Sequence, residues 1–155
     1  MLNLILPNSY AKEIDQDRLA NALREGLFVL GLPDNASVTL RVTNNRLIRQ
    51  LNRAWRGENS VTDVLSFDNA FTDPETGEQY LGDIVISFQK ARQQAQAGEH
   101  SLQSEIEMLF VHGLLHLSGL DHADQQDWSE MTSKQDQILK NIDNPLLGTI
   151  QYHAE

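Results

Sequence analysis

Residues 101–122 read SLQSEIEMLFVHGLLHLSGLDH, and the rest of the chain has to be arranged around this stretch. Ser101 is a good helix cap, and Leu102, Ile106, Leu109, Phe110 and Leu117 recur at helical spacing. That pattern predicts a helix over about 102–117, apolar enough to lie centrally. Gly119 stands where a helix end favours a left-handed residue.

Working outward, residues 82–87 (GDIVIS) read as a strand and 88–97 (FQKARQQAQA) as a helix. Asp124 can cap a last helix reaching about Lys140, which Pro145 closes, and residues 146–155 carry no assignment. Further upstream, residues 61–67 (VTDVLSF) are a short β-like run, and 68–80, with Asp, Asn, Pro and Gly, predict an exposed loop. Asn44-Asn45 offers a cap for a helix over 45–55. Residues 37–43 (SVTLRVT) alternate and are β-branched, as a strand should be. From Asp17, Leu19, Leu23, Leu27 and Leu30 mark a helix that Gly31 and Pro33 end, and residues 2–6 (LNLIL) are a first strand rather than a signal peptide. The order is strand, helix, strand, helix, two strands, then helices. It predicts an α+β fold, an α/β sandwich with a small mixed sheet of about four strands covered by about five helices.

Three of the five histidines, His112, His116 and His122, fall within the last eleven residues of the opening stretch. His112 and His116 are four apart on the predicted helix, so their rings share a face. The turn at Gly119 can swing His122 back toward them. Three imidazoles on one ion leave a position for water, the arrangement of a catalytic zinc site. A lone pair of histidines four apart arises often by chance; three with a glycine at the helix end does not. The expectation is one zinc ion per chain held by His112, His116 and His122.

The spacing H-x-x-x-H-x-x-G-x-x-H also occurs in zinc peptidases, where a glutamate after the first histidine is the general base. Gly113 stands there instead, which disfavours a peptidase. A peptidase or amidase, and a non-catalytic zinc protein, remain the alternatives to a zinc-dependent hydrolase that activates water.

A length of 155 residues, 40% hydrophobic and 22% charged, fits one domain spanning 1–155 with one core. No run approaches the ~18 apolar residues of a membrane span. The absence of cysteine excludes thiolate ligands and nucleophiles and suits a reducing cytoplasm. A net charge of −10 argues against a protein that coats nucleic acid.

The segment 112–122 resembles the H-G-x-L-H-L-x-G-x-D-H signature of the YbeY family. Three further blocks are similar to that family's, in its order: Leu51-Asn52 with Trp55-Arg56-Gly57, Thr62-Asp63-Val64-Leu65-Ser66-Phe67, and Leu81-Gly82-Asp83-Ile84. Val61 replaces a usual proline and Ser118 a common leucine, and neither is a ligand position. The resemblance implies a metal-dependent, single-strand-specific endoribonuclease of rRNA maturation and ribosome quality control. Its partners would be single-stranded RNA and ribosomal particles, without DNA or membrane. It carries the metal roles onto His112, His116 and His122 and marks Arg56 as an active-site residue. A ribosome-associated factor in which zinc only staples helix to turn is the non-enzymatic rival.

Residues 41–56 hold five of the twelve Lys and Arg residues and no Asp or Glu. Arg46, Arg49, Arg53 and Arg56 fall on one face of the predicted helix, opposite Leu47, Ile48, Leu51, Ala54 and Trp55, which are expected to dock on the core. The arginine face is either a solvated polar face or, with the resemblance, a track for an RNA backbone. Arg56, at the helix end, would either steady charge on a phosphoryl group or form a surface ion pair with Asp or Glu. Asp121 is a hydrogen-bond acceptor for a ligand imidazole, a proton acceptor or a turn residue. Structural hydrogen bonding is expected of Asp63 and Asp83, a helix cap of Ser87, a core position of Met131, and plain surface positions of His100 and His153.

Overall fold

The computed structural model describes residues 1–120 and 125–147. Five strands and six helices occur among them: β1 (Leu2–Ile5), α1 (Asn8–Ala11), α2 (Gln16–Leu30), β2 (Ser37–Thr43), α3 (Asn45–Arg56), β3 (Val64–Phe67), β4 (Phe71–Thr72), β5 (Gln79–Ser87), α4 (Phe88–Ala97), α5 (Leu102–Leu117) and α6 (Gln125–Asn141). The α+β class is as expected. The extra strand and helix are short. β4 pairs with the start of β5 inside the stretch expected to be all loop, and α1 is a single turn after Pro7. Two-residue and one-turn elements leave no periodicity to read.

The strands lie in the order β1-β2-β5-β3, with β4 off this path beside β5. β1, β2 and β5 are parallel, while β3 and β4 run antiparallel to β5. Alternation sorts side chains between the two faces. Val38, Leu40, Val42, Val64, Ile84 and Ile86 face the main core with α2, α4, α5 and α6. Leu65 and Val85 face the other way and meet Ile48 of α3 in a smaller cluster.

α5 carries apolar side chains nearly all round, with Ile106, Leu109, Phe110, Val111, Leu114 and Leu115 buried. A helix of that kind belongs in the interior. Ser101 caps it, its hydroxyl accepting from Ser104 N–H, and Gly119 follows its end at φ 93°. Gly113 is buried against β5, where a Cβ would stand 2.9 Å from Ile84 Cγ2. Met131 is buried as expected.

Ser37 pairs with Tyr80 but Thr39 with Asp83, so β5 holds one more residue than β2 between these points. This is a bulge at Leu81-Gly82. Gly82 has φ 137°, and a Cβ there would lie 2.3 Å from the Phe67 carbonyl oxygen. Only glycine lets β3 end so close to β5.

α3 departs from expectation. Ile48 and Asn52 are its buried residues, while Ala54 is exposed and Trp55 is 72% exposed. The helix rests on a narrow patch, with Leu51, Val61 and Phe67 only partly covered. Trp55, on its last turn, has gone past that patch and meets Phe67 edge-on. Asn52 is drawn inward because its Nδ2 donates to the Ser60 carbonyl, 3.0 Å away, closing the turn after the helix.

Candidate active site

Among the described residues β3 is an edge strand of the sheet, with α5 on one face and α3 on the other. A cleft of about 250 Å³ wraps around this edge. Val64, Leu65 and Ser66 of β3 line it, with Asp68 just beyond, His112, His116 and Leu117 from α5, and Arg56 from the end of α3. Arg56 and His112, distant in sequence and on opposite faces of the sheet, share one cavity because an edge strand has no neighbour to separate its two faces.

The two rings are half-buried and meet at their tips, with His112 Nε2 3.1 Å from His116 Nε2 and ring centroids 4.7 Å apart. The one-turn offset on α5 produces this approach. His112 Nδ1 lies 3.2 Å from Oε1 of the buried Gln135 on α6. A carboxamide oxygen only accepts, so this contact places a proton on Nδ1 and leaves the Nε2 lone pair aimed at His116. Two nitrogens so close need a shared proton or cation between them. Among the described residues, no group of three or more His, Asp or Glu side chains is disposed to hold a metal. His122, expected to be the third ligand, lies outside the described residues, as do Asp121, the Asp124 cap and His153.

Ser66 Oγ donates to the Gly113 carbonyl at 3.3 Å, tying β3 to the middle of α5. Asp63 takes the structural role expected of it, with Oδ1 accepting from Val64 N–H at 2.8 Å and Oδ2 from Gln94 Nε2 at 3.2 Å. Asp83 does the same, accepting from the Tyr80 hydroxyl and, at 3.0 Å, from Asn69 Nδ2, which steadies the loop that carries Asp68. Ser87 caps α4 by accepting from Lys90 N–H. His100 is not the plain surface residue expected: it is mostly covered and bonded to Glu105 at 2.6 Å. Asp68 was not foreseen. Its only signal in the sequence is that it follows the TDVLSF run. Position 113, where a peptidase would carry its glutamate, faces Ile84 rather than the cleft.

A family model described as Endoribonuclease YbeY matches residues 6–143. This chain belongs to the YbeY endoribonuclease family. A relative from Heliobacterium modesticaldum named Endoribonuclease YbeY is 42% identical, over 72% of this chain and 74% of its own. One of the same name from Clostridioides difficile is 36% identical, over 91% of this chain and 97% of its own. A solution structure of a protein from Thermotoga maritima matches with a TM-score of 0.57 over 94% of both chains, at 19% identity, and shares the fold. Family membership makes the chain an enzyme of the hydrolase class. No helix among the described residues is long and apolar enough to cross a membrane.

Proposed function

We propose that this chain is a zinc-dependent endoribonuclease that cuts single-stranded RNA, acting on ribosomal RNA and ribosomal particles during rRNA maturation and quality control in the cytoplasm. The observation that carries the reading is the meeting of the His112 and His116 Nε2 atoms, 3.1 Å apart, in a cleft that Arg56 also lines. Two nitrogens bound tetrahedrally at ~2.0–2.1 Å from one zinc ion stand about 3.3 Å apart, so the pair needs almost no movement to share one. Spacing makes His122 the third ligand. The name shared by the relatives supports RNA as the substrate.

Zinc bound there supplies a Lewis acid that polarises a phosphoryl oxygen and acidifies a water. The remaining work falls to the chain itself. Gln135 fixes the tautomer and orientation of His112. Arg56 presents a guanidinium, whose fork matches two phosphoryl oxygens and strengthens its hold as their charge grows. Val64, Leu65 and Leu117 supply apolar walls that limit water. Asp68 adds a carboxylate to the cleft wall. An open cleft beside the histidines favours catalysis over a closed zinc staple.

The test is metal analysis of protein purified without added zinc, together with cleavage assays on labelled single-stranded RNA, single-stranded DNA and casein. One zinc per chain and cleavage of RNA alone are expected, with both zinc and activity lost in His116→Ala. Full ribonuclease activity in His116→Ala overturns the reading.

A further inference from the structure

A second concave surface, of about 420 Å³, lies on the outer side of α3. Its polar lining is three arginines, Arg46, Arg49 and Arg53, and three carboxamides, Asn45, Gln50 and Asn59. It contains no carboxylate, in a chain with 22 Asp and Glu against 12 Lys and Arg. Among the described residues, none of the three arginines forms an ion pair. Arg49 is instead held by a neutral partner, its Nε donating to Asn59 Oδ1 at 2.9 Å, which orients the guanidinium without cancelling its charge. Three like charges on one helix face repel each other. Among the described residues no carboxylate pairs with them, and α3 packs through its opposite face at Ile48. An anion in the groove would relieve the repulsion, and guanidinium groups with carboxamide N–H donors are suited to phosphate oxygens.

The groove and the cleft both border α3. Arg56 stands on the same side of α3 as the other three arginines and lines the cleft. Ten residues separate Arg46 from Arg56, about 15 Å along the axis at ~1.5 Å per residue. That length takes more than one phosphate. Trp55, next to Arg56 and 72% exposed, offers a flat ring on which a base can stack.

We infer that the groove of Arg46, Arg49 and Arg53 is a second phosphate-binding subsite, which holds the backbone of a single-stranded RNA whose scissile phosphate lies in the cleft. The inference rests on the RNA reading of the cleft and adds to it a length requirement on the substrate. An acidic protein segment would meet the same charges, but Arg56, on the same side of α3 and lining the cleft, favours a nucleotide chain.

The test replaces Arg46, Arg49 and Arg53 together by glutamine, with a matching triple lysine variant, in the protein as purified. The probe is a fluorescent phosphorothioate 2′-O-methyl oligouridine of about twelve nucleotides, within the usual span of single-strand sites. Its binding is followed by anisotropy against salt. When three phosphates are no longer neutralised, the slope of log affinity against log salt becomes shallower by about 2. The lysine variant keeps the slope but binds more weakly. In cleavage, the preference in kcat/KM for a long RNA over a dinucleotide disappears in the glutamine variant. All three side chains are exposed, and an unchanged melting temperature confirms folding.

If the parent cuts RNA and the glutamine variant keeps its slope and length preference, the subsite is refuted while the nuclease reading stands. If the parent binds the probe through these arginines but cuts no RNA, the groove stands and the nuclease reading fails. Arginine-dependent capture of polyglutamate with no binding of the oligouridine refutes the phosphate assignment.

Discussion

Gly113 meets Ile84 with no side chain between them: a Cβ at position 113 would stand 2.9 Å from Ile84 Cγ2 and 3.1 Å from Cγ1 and Cδ1. The contact sets how closely α5 lies on β5, and so where His112, the residue before it, stands relative to β3 and Arg56. Ile84 is fully buried. Gly113→Ala is therefore expected to cost about 1–3 kcal/mol by overpacking, although alanine is the better helix former. Urea unfolding measures it. A variant as stable as the parent would show that α5 can slide on the sheet.

The same contact bears on the peptidase alternative. Introducing the missing base as Gly113→Glu is expected to yield unstable protein without casein hydrolysis, since the new side chain points at β5. Peptide cleavage by a folded Gly113→Glu protein would place position 113 in the cleft instead.

α5 and the facing of His112 with His116 were legible in the sequence because both depend on one helix and a four-residue offset. The fold class was legible for a similar reason, since the strands and helices that dominate it are long enough to show their periods. What lay beyond reach depends on contacts distant in sequence. Asp68 enters the cleft because β3 is an edge strand, and strand order is not written in local pattern. Trp55 has the right phase to face the core, but the sheet offers α3 only Leu65, Val85 and the rim residue Phe67 among the described residues, and phase does not say how far a partner surface extends. His100 reads as a surface residue until Glu105, five residues on, turns back toward it at the start of α5.

Gln135 is buried on α6 with its oxygen 3.2 Å from His112 Nδ1. Partners of this kind fix the ring of a ligand histidine and raise its basicity. Gln135→Leu keeps the volume and removes the acceptor. Under the zinc reading, its affinity for zinc is expected to fall roughly 10–100-fold in competition with a chelator. The fold should lose only about 1 kcal/mol. Unchanged affinity would mean that His112 is held by packing alone.

Glu107 is fully buried on α5 and accepts from Arg18 Nε and Nη2 at 2.6 and 2.8 Å, from Gln103 Nε2 at 2.9 Å and from Asn144 Nδ2 at 3.1 Å. Arg18 also donates to the Ile142 carbonyl, so the group ties α2 and the end of α6 to α5. The two charges are not equally placed, for the Arg18 side chain is 40% exposed and that of Glu107 not at all. Arg18→Ala leaves a buried carboxylate without its cation and should cost about 3–5 kcal/mol. Glu107→Gln lets Arg18 turn to water and should cost less, about 1–3 kcal/mol. Chemical denaturation of the two variants checks the order, and the reverse order would mean that water reaches Glu107.

Glu105 is buried near the start of α5 with Oε1 2.6 Å from His100 Nε2. Burial pushes its carboxyl above the usual glutamate range. The bond to His100 and the charge of that ring pull it back, and the charge of Asp63 adds to the rise. A carboxyl that holds its proton more tightly when folded than when unfolded favours the folded state in acid. That contribution is fully present below the ordinary value of 4.5 and is lost as the pH rises through the folded value above it. Glu105→Gln keeps the shape and removes the titration. The stability of the parent relative to this variant is therefore expected to fall as the pH climbs above 4.5. Urea unfolding of both proteins at a series of pH values from 4.5 upward measures it. A difference that stays flat would show that His100 offsets the whole cost of burying Glu105. A difference that rises would show that His100 outweighs burial and holds the carboxylate charged.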